Sequence, residues 1–279
     1  MKEESEKWRI YNHALIPTTA PHEEADVSVI QNGNVWSLGK SAPLLARWTT
    51  DFDCNYETNW WYCIKDTPFD VSILKAKRRY EINKGKKNFN IQRICTREYA
   101  DALYAVQVAA FSAYPKKYRP EVDKEKFINS CLQWNSQYLV YGAFFKENNE
   151  LCGYSLVEEY KHYVKLSVQK TRPEYERQQI NAALLTQILE DYNEKLRENK
   201  IYICDGERNI LHETHFQEYL EKYFGFRKAY CKLNIAYNPK IKMSIKALYP
   251  IRKILLKLDG IGLIHKVNGV MKMEEIVRK

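Results

Sequence analysis

The chain has 279 residues, with 44 Lys and Arg against 35 Asp and Glu, giving a formal net charge of +9. That length allows one large domain or a domain with an added lobe, and the ordinary apolar and charged fractions exclude a disordered chain. The charge suits an anionic partner (nucleotide, phosphorylated substrate, RNA or acidic membrane surface), and a basic solvated surface is the plain alternative. The seven cysteines are scattered and never form CxxC, which argues against a disulfide framework or a zinc site and for a reducing compartment. No apolar run reaches membrane-spanning length, and the start MKEESEKWRI lacks a signal-peptide core, so a cytoplasmic protein is expected. Tyrosine is abundant, at 21 residues, which fits a Tyr-rich core or an aromatic-lined groove.

Residues 8–66 read as short strands: WRIYNHALI, VSVI, NVWSL, PLLARW and NWWYCI, separated by Pro, Asn, Gly and Asp. DVSILKAKRRYEINKGKKNF reads as a short, very basic helix. Asp70 caps it, Ile73, Ala76, Tyr80 and Asn83 share a face, and Gly85 ends it in the left-handed conformation. FNIQRI alternates like a strand. TREYADALYAVQVAAFSAY carries Leu103, Val106, Ala110, Phe111 and Tyr114 at helical spacing up to Pro115, and EVDKEKFINSCLQW is a second helix. YLVYGAFFK and LCGYSLVEEY make a hairpin around ENNE, and YVKLSVQ is a further strand. INAALLTQILEDYNEKLREN has a helical stripe of Ile180, Leu184, Ile188 and Tyr192. IYICDG is a buried strand, HETHFQEYLEKYF a helix ending near Gly225, and FRKAYCKLNIAY a closing strand. From residue 90 this order makes an α/β chain with mixed sheet pairing.

Three pieces of residues 90–238 have a family look: the strand YVKLSV running into RPEY, the helix INAALL, and FQEYLEKYFGF before the last strand. They resemble the GCN5-related N-acetyltransferase (GNAT) superfamily, whose members often carry Pro-Glu-Tyr after a strand, an I-G-x-A-L-L helix, and a helix ending in Gly-Phe. Upstream, LKAKRRYEINKGKKNFNIQRI resembles the basic helix of the FemAB-like group, whose members carry two GNAT-like halves. The first half here looks shortened. The resemblance implies a GNAT-like mixed central sheet flanked by helices, with a smaller β-rich N-terminal lobe. The expected parts are a lobe over 1–89, a GNAT-like domain over 90–238 and a basic amphipathic tail over 239–279.

GNAT enzymes resemble one another in binding the pyrophosphate of coenzyme A at a helix N-terminus, through Gln/Arg-x-x-Gly-x-Gly/Ala. A helix start suits phosphate because its first N–H groups lack intrahelical acceptors and its dipole end is positive. Here Glu176 takes the Gln/Arg position, Gln179 the first Gly and Asn181 the Gly/Ala, so all three signature positions depart. A carboxylate beside a pyrophosphate is unfavourable, by about 1 kcal/mol or more even when solvated. Arg177 and Arg172 are positioned in sequence to compensate, and Gln178, Gln179 and Asn181 can donate hydrogen bonds. The resemblance thus implies Arg177, Gln178, Gln179 and Asn181 as the acyl-CoA-binding set, with a ligand-free helix start as the alternative.

ICDGERNILHETHF is the densest run of reactive side chains, and it lies between a buried strand and a helix. Asp205 and Glu207 are candidate bases for an amine, and His212 a proton shuttle. The alternative is a turn at Asp205-Gly206, a cap at His212 or Thr214 and an ion pair at Arg208. Tyr219 and Tyr223 precede Gly225-Phe226, where many GNAT enzymes place a tyrosine acid, although the usual position here is Glu221. Arg78, Arg79, Lys84 and Arg208 are candidates for an anionic donor or acceptor. Lys75, Lys77, Lys86 and Lys87 extend that basic set, with Glu81 alone opposing it. The tail IRKILLKLDGIGLI reads as an amphipathic segment on an anionic membrane face, or as one packed on the domain or a second subunit; Gly260 and Gly262 weaken a continuous helix.

The resemblance implies transfer of an acyl or aminoacyl group to an amine of a cell-envelope sugar or peptide precursor, without a metal. The expected partners are an anionic small-molecule or lipid-linked substrate, with aminoacyl-tRNA as a donor and the tail touching the inner membrane face. The competing expectation is a non-catalytic GNAT-like scaffold of polysaccharide biosynthesis, which the departures in the phosphate loop favour.

Overall fold

The computed structural model describes residues 7–37, 42–116, 119–210 and 215–279. In chain order the elements are β1 (Trp8–Tyr11), β2 (Ala14–Pro17), α1 (Ser28–Gln31), β3 (Leu45–Thr50), β4 (Trp60–Lys65), α2 (Ala76–Asn88), β5 (Phe89–Arg93), α3 (Ala100–Ser112) and α4 (Lys124–Trp134). There follow β6 (Leu139–Phe145), β7 (Glu150–Glu159), β8 (Tyr163–Thr171), α5 (Ile180–Asp191), α6 (Asn193–Arg197), β9 (Tyr202–Glu207), α7 (Phe216–Phe224) and β10 (Arg227–Tyr237). The chain continues with α8 (Pro239–Leu248), α9 (Arg252–Lys257) and α10 (Gly262–Val277). These elements form two compact units. One comprises Ile64–Gly206 and Gln217–Arg227; the other comprises the described parts of Lys2–Cys63, Glu207–Phe216 and Lys228–Lys279.

The first unit holds strands in the order β9-β8-β7-β6-β5. All neighbours are antiparallel except β8 and β9, which are parallel. A mixed sheet is what the sequence order predicts: a hairpin supplies antiparallel pairs, while the helical crossover between β8 and β9 returns the chain in the same direction. One face packs against α3 and α4 through Leu103, Val106 and Cys131, which meet Val140, Tyr154 and Leu156 of the strands. The other face carries α5. Its Asn181 side chain accepts a hydrogen bond from Gln169 of β8, and Asp191 accepts one from Tyr141 of β6. Helix α5 is buried on nearly every side, from Ile180 through Leu189. A helix apolar all round needs cover on more than its sheet face, and α2 supplies it.

Helix α2 reaches α5 through Gly85. A Cβ added there would stand 2.7 Å from the Gln179 carbonyl oxygen and 3.2 Å from the Ala183 Cβ. Only the missing side chain allows this approach. The segment leading into α2 is pinned by Asn193. Its Oδ1 accepts from the Phe69 N–H at 2.7 Å, and its Nδ2 donates to the Phe69 carbonyl at 2.9 Å.

The second unit holds β1-β2-β3-β10-β4 as successive neighbours. β2 and β3 are parallel, and β3 pairs with β10 antiparallel from Leu45↔Tyr237 to Thr50↔Lys232. Leu15, Ile30, Val35 and Ala46 form its small core.

Several local expectations change. VSVI is not a strand but the helical turn α1, because Asp26 Oδ1 accepts from the Ser28 N–H and starts a turn. NVWSL likewise gives a 3₁₀ turn over Asn34–Ser37, set off by Gly33 at φ +71°. Asp70 does cap, but it caps a 3₁₀ turn over Val71–Ile73, and α2 starts only at Ala76. Nor does Gly85 end that helix, which runs on to Asn88. The buried face is also different: Ile82 and Gly85 are buried, while Ile73 and Tyr80 are largely exposed. The helix is too poor in apolar residues for periodicity to fix its inward face. Close backbone approach at a glycine fixes it instead.

Glycine-to-alanine changes in exposed helix interiors stabilise by about 1 kcal/mol. At Gly85 the sign reverses: Gly85→Ala is expected to cost about 1–3 kcal/mol, because the new methyl meets backbone that cannot turn away. Urea denaturation measures this, and a stabilised variant would show that α2 does not rest on α5.

Candidate active site

The connection from β8 to α5 keeps the form of a phosphate-binding turn without its composition. Pro173 opens a 3₁₀ turn over Pro173–Gln178, suited by its fixed φ. Gln179 then takes the left-handed conformation, φ +71° and ψ +35°, and its carbonyl accepts the first helical bond of α5, from Ala183 at 3.0 Å. A non-glycine residue held there stores roughly 1–3 kcal/mol of strain. The side chains are turned to structural tasks. Asn181 Oδ1 accepts from Gln169 Nε2 at 2.8 Å and Thr171 Oγ1 at 3.3 Å. The Gln178 carbonyl accepts from Asn88 of α2 at 3.4 Å. Arg172 pairs with Glu150 at 2.6 Å, and Arg177 stands exposed.

This loop does not fit the pyrophosphate of coenzyme A in the GNAT manner. Glu174 and Glu176 bring negative charge to it, Asn181 is engaged with β8, and the last turn of α2 closes one side of it at Gly85. Lys86 of α2 spends its charge on Glu190 of α5, 2.6 Å away.

The second feature of the first unit is the opening between β8 and β9. Their register runs Tyr163↔Tyr202, Val164↔Ile203 and Lys165↔Cys204, and the pairing ends there. β8 continues to Thr171 and β9 to Glu207, so the strands splay. β8 also bulges opposite Leu156 and Val157, with Ser167 as the extra residue. Asp205 is the first residue of β9 beyond the last pair, and Gly206 follows at φ +106°, a conformation that favours glycine.

Asp205 is the perturbed acid of this unit. Burial pushes its carboxyl from 3.8 up to about 7, against the opposing effect of a hydrogen bond with Gln217 at the start of α7. A carboxyl that titrates near neutrality can both accept and return a proton. Tyr219 lies two residues further along α7. Its hydroxyl is raised to about 12, chiefly by burial, with the Arg78 guanidinium drawing it back down. Arg78 itself is built into the helix contact. It pairs with Glu81 at 2.7 Å and lies over the Tyr223 ring at 3.7 Å and the Tyr219 ring at 5.6 Å. Arg79 donates to the carbonyls of Ser72 and Leu74, and Lys84 is half-buried on the same helix.

Glu158, which sequence reasoning passed over, shows the opposite behaviour. Burial raises its carboxyl, but the Lys165 charge and hydrogen bonds from Ser167, Tyr160 and Lys165 outweigh that and hold it down to about 2. It is a fixed anion. Its signal was the pair of glutamates closing an otherwise apolar strand, LCGYSLVEEY. Gln217, the partner of Asp205, gave no comparable signal.

In the second unit Glu207 is held by charge and hydrogen bonds. Arg47 of β3 pairs with one oxygen, and Tyr62 of β4 donates to the other at 3.1 Å while meeting Thr49 at 3.1 Å. Arg208 donates to the Asn59 carbonyl at 2.6 Å, and its guanidinium lies 4.4 Å from the Trp61 ring centre. Burial lowers the pKa of Arg208. His212 lies outside the described residues. Among the described residues no three His, Cys, Asp or Glu side chains gather in a way that could hold a metal ion.

Asp205 keeps its proton up to about pH 7 when folded and loses it near 3.8 when unfolded. Its contribution to stability is therefore complete below the lower value and is lost as pH rises through the higher one. Asp205→Asn cannot ionise, so it should flatten the fall in stability across that window, by on the order of 4 kcal/mol at most. Denaturation midpoints measured across the window read this out; an unchanged slope would mean that the carboxyl ionises normally.

No protein-family model and no curated protein sequence matches this chain. Among solved structures, a crystal structure of FemX matches with a TM-score of 0.50 at 8% identity, over 82% of this chain and 82% of that one. L-PGS from Bacillus licheniformis matches with a TM-score of 0.47 at 11% identity, over 88% of this chain and 84% of that one. The PaiA N-acetyltransferase from Thermoplasma acidophilum, in complex with coenzyme A, matches with a TM-score of 0.35 at 19% identity, over 48% of this chain and 87% of that one. Identities this low speak to architecture and not to chemistry. The chain has a GNAT-like fold, a mixed sheet flanked by helices, and shares its architecture with FemX.

Proposed function

We propose that this protein is an acyltransferase of the FemAB-like type, transferring an acyl or aminoacyl group to an amine of a cell-envelope sugar or peptide precursor. The observation that carries the reading is Asp205: a half-buried residue whose desolvated carboxyl is raised to about 7, at the splay between β8 and β9. An amine attacks a carbonyl carbon only as the free base, and a carboxylate titrating near neutrality can take its proton. In the proposed step the amine nitrogen bonds to the carbonyl carbon of the donor ester and Asp205 accepts the proton. The bond to the leaving oxygen then breaks, and the same proton passes to that oxygen. The products are an amide and an alcohol, and no metal takes part.

The state of the phosphate loop points the donor away from coenzyme A. Aminoacyl-tRNA is the donor class that matches an ester leaving group and a basic helix. Lys75, Lys77, Lys84 and Lys87 of the α2 region are the candidate phosphate contacts, together with Arg79. A cytoplasmic site of action follows from that donor. Tyr219, half-buried and protonated, is a candidate hydrogen-bond donor to the leaving oxygen.

One observation favours a second reading, a non-catalytic scaffold of polysaccharide biosynthesis. The loop that would bind a nucleotide cofactor is closed on one side by α2 and lined with acids.

The test is transfer of labelled aminoacyl groups from a total aminoacyl-tRNA pool, and separately of acetyl from acetyl-CoA, to amino-sugar and peptide precursors. The expected result is transfer from tRNA alone, rising through pH 7, with Asp205→Asn reducing the rate by roughly 10²-fold or more. Folded wild-type protein that transfers from neither donor would favour the scaffold reading. Undiminished turnover in Asp205→Asn would remove Asp205 from the chemistry.

A further inference from the structure

The segment after β10 displays apolar side chains that no described residue of its own unit covers. Residues 239–279 carry ten Lys and Arg against three Asp and Glu, an excess of seven in a chain whose net charge is +9. Within this segment α9 and α10 form a helical hairpin, and its turn is tied down firmly. Asp259 accepts from Asn268 at 2.7 Å and bonds the His265 ring at 2.8 Å, and Asn268 also donates to the Leu255 carbonyl at 3.1 Å. Asn268 is fully buried. At the base, Arg252 and Arg278 both stack on Tyr249, at 4.2 Å and 4.0 Å. The tip is thus a built structure, and it points its apolar side chains outward. Ile254 is 60% exposed and Leu263 74% exposed, with Ile251, Leu256, Leu258 and Ile261 also exposed. Ile251, Ile254 and Leu258 fall at helical spacing on one side. Lys253 and Lys257, one turn apart, flank them and make no ion pair among the described residues.

We infer that this hairpin tip is a docking surface for an anionic lipid bilayer. A soluble surface rarely keeps so many large apolar groups together at one apex. Apolar side chains flanked by lysines suit the boundary between acyl chains and acidic headgroups: the former enter the boundary while the ammonium groups remain with phosphate. A second copy of the chain fits less well, since a two-fold contact through this tip would set like-charged lysines against one another. No helix among the described residues is long and apolar enough to cross a membrane, so the contact is one of lying on the surface. The inference stands independently of the transfer reading.

The experiment is co-sedimentation of the full chain with vesicles of phosphatidylcholine alone and of phosphatidylcholine mixed equally with phosphatidylglycerol. Binding is expected to the mixed vesicles, weakening as salt is raised. Ile254→Ser combined with Leu263→Ser should lower partitioning roughly tenfold or more. Lys253→Glu combined with Lys257→Glu should lower it at least fivefold per lysine, roughly. All four positions are exposed, and unchanged circular dichroism and melting would confirm that the variants fold. The inference is overturned if wild type ignores phosphatidylglycerol, or if both variants bind as wild type does. It is equally overturned if sedimentation velocity shows a dimer that Ile254→Ser with Leu263→Ser dissolves, since the tip would then be a subunit contact.

Discussion

A Cβ on Gly85 would stand 2.7 Å from the backbone of Gln179, and the arrangement of the first unit follows from the absence of that atom. Because α2 can lie against the first turn of α5, α5 is covered on both sides and is buried along most of its length. Because α2 lies there, Arg78 reaches the tyrosines of α7 and joins the two helices. The same contact closes one side of the turn where a GNAT enzyme would hold pyrophosphate. One packing choice therefore stabilises the unit and narrows that turn.

Three carboxylates, one on β7 and two on β9, show how environment assigns roles. Glu158 has a lysine, a serine and a tyrosine within reach and remains an anion. Glu207 is answered by Arg47 and Tyr62. Asp205 has desolvation and an amide, and no cation among the described residues offsets it. Asp205 can exchange a proton near neutral pH, and Glu158 cannot. The difference does not come from residue type, since all three are ordinary acids, but from what the adjacent strand and helix put beside them.

The architecture from β5 onward was legible because its strands are long, apolar and bounded by turns, and because INAALL has a helical stripe. The N-terminal strands were less so. VSVI is too short for periodicity to separate a strand from a turn, and an aspartate one residue upstream decided the matter. The basic helix misled for a different reason: its inward face is made by Arg78, Glu81, Ile82 and Gly85, and no hydrophobicity pattern selects such a set. Asp205 stood out in sequence as one member of a reactive run. Its desolvation did not, because that depends on the fold around it and not on neighbours in the chain.

The extra residue in β8 lets one strand serve two faces of its sheet. Strict alternation would send Lys165, Ser167, Gln169 and Thr171 to the same side. Instead Lys165 and Ser167 reach Glu158, while Gln169 and Thr171 reach Asn181 at the head of α5. The bulge thus acts as a parity switch. The strand is written in two frames joined at Ser167, and loss of that single residue would rotate everything after it to the wrong side. The start of α5 would lose both hydrogen bonds that hold Asn181, although every contacting side chain would still be present in the sequence. In this part of the chain, residue count is itself structural information.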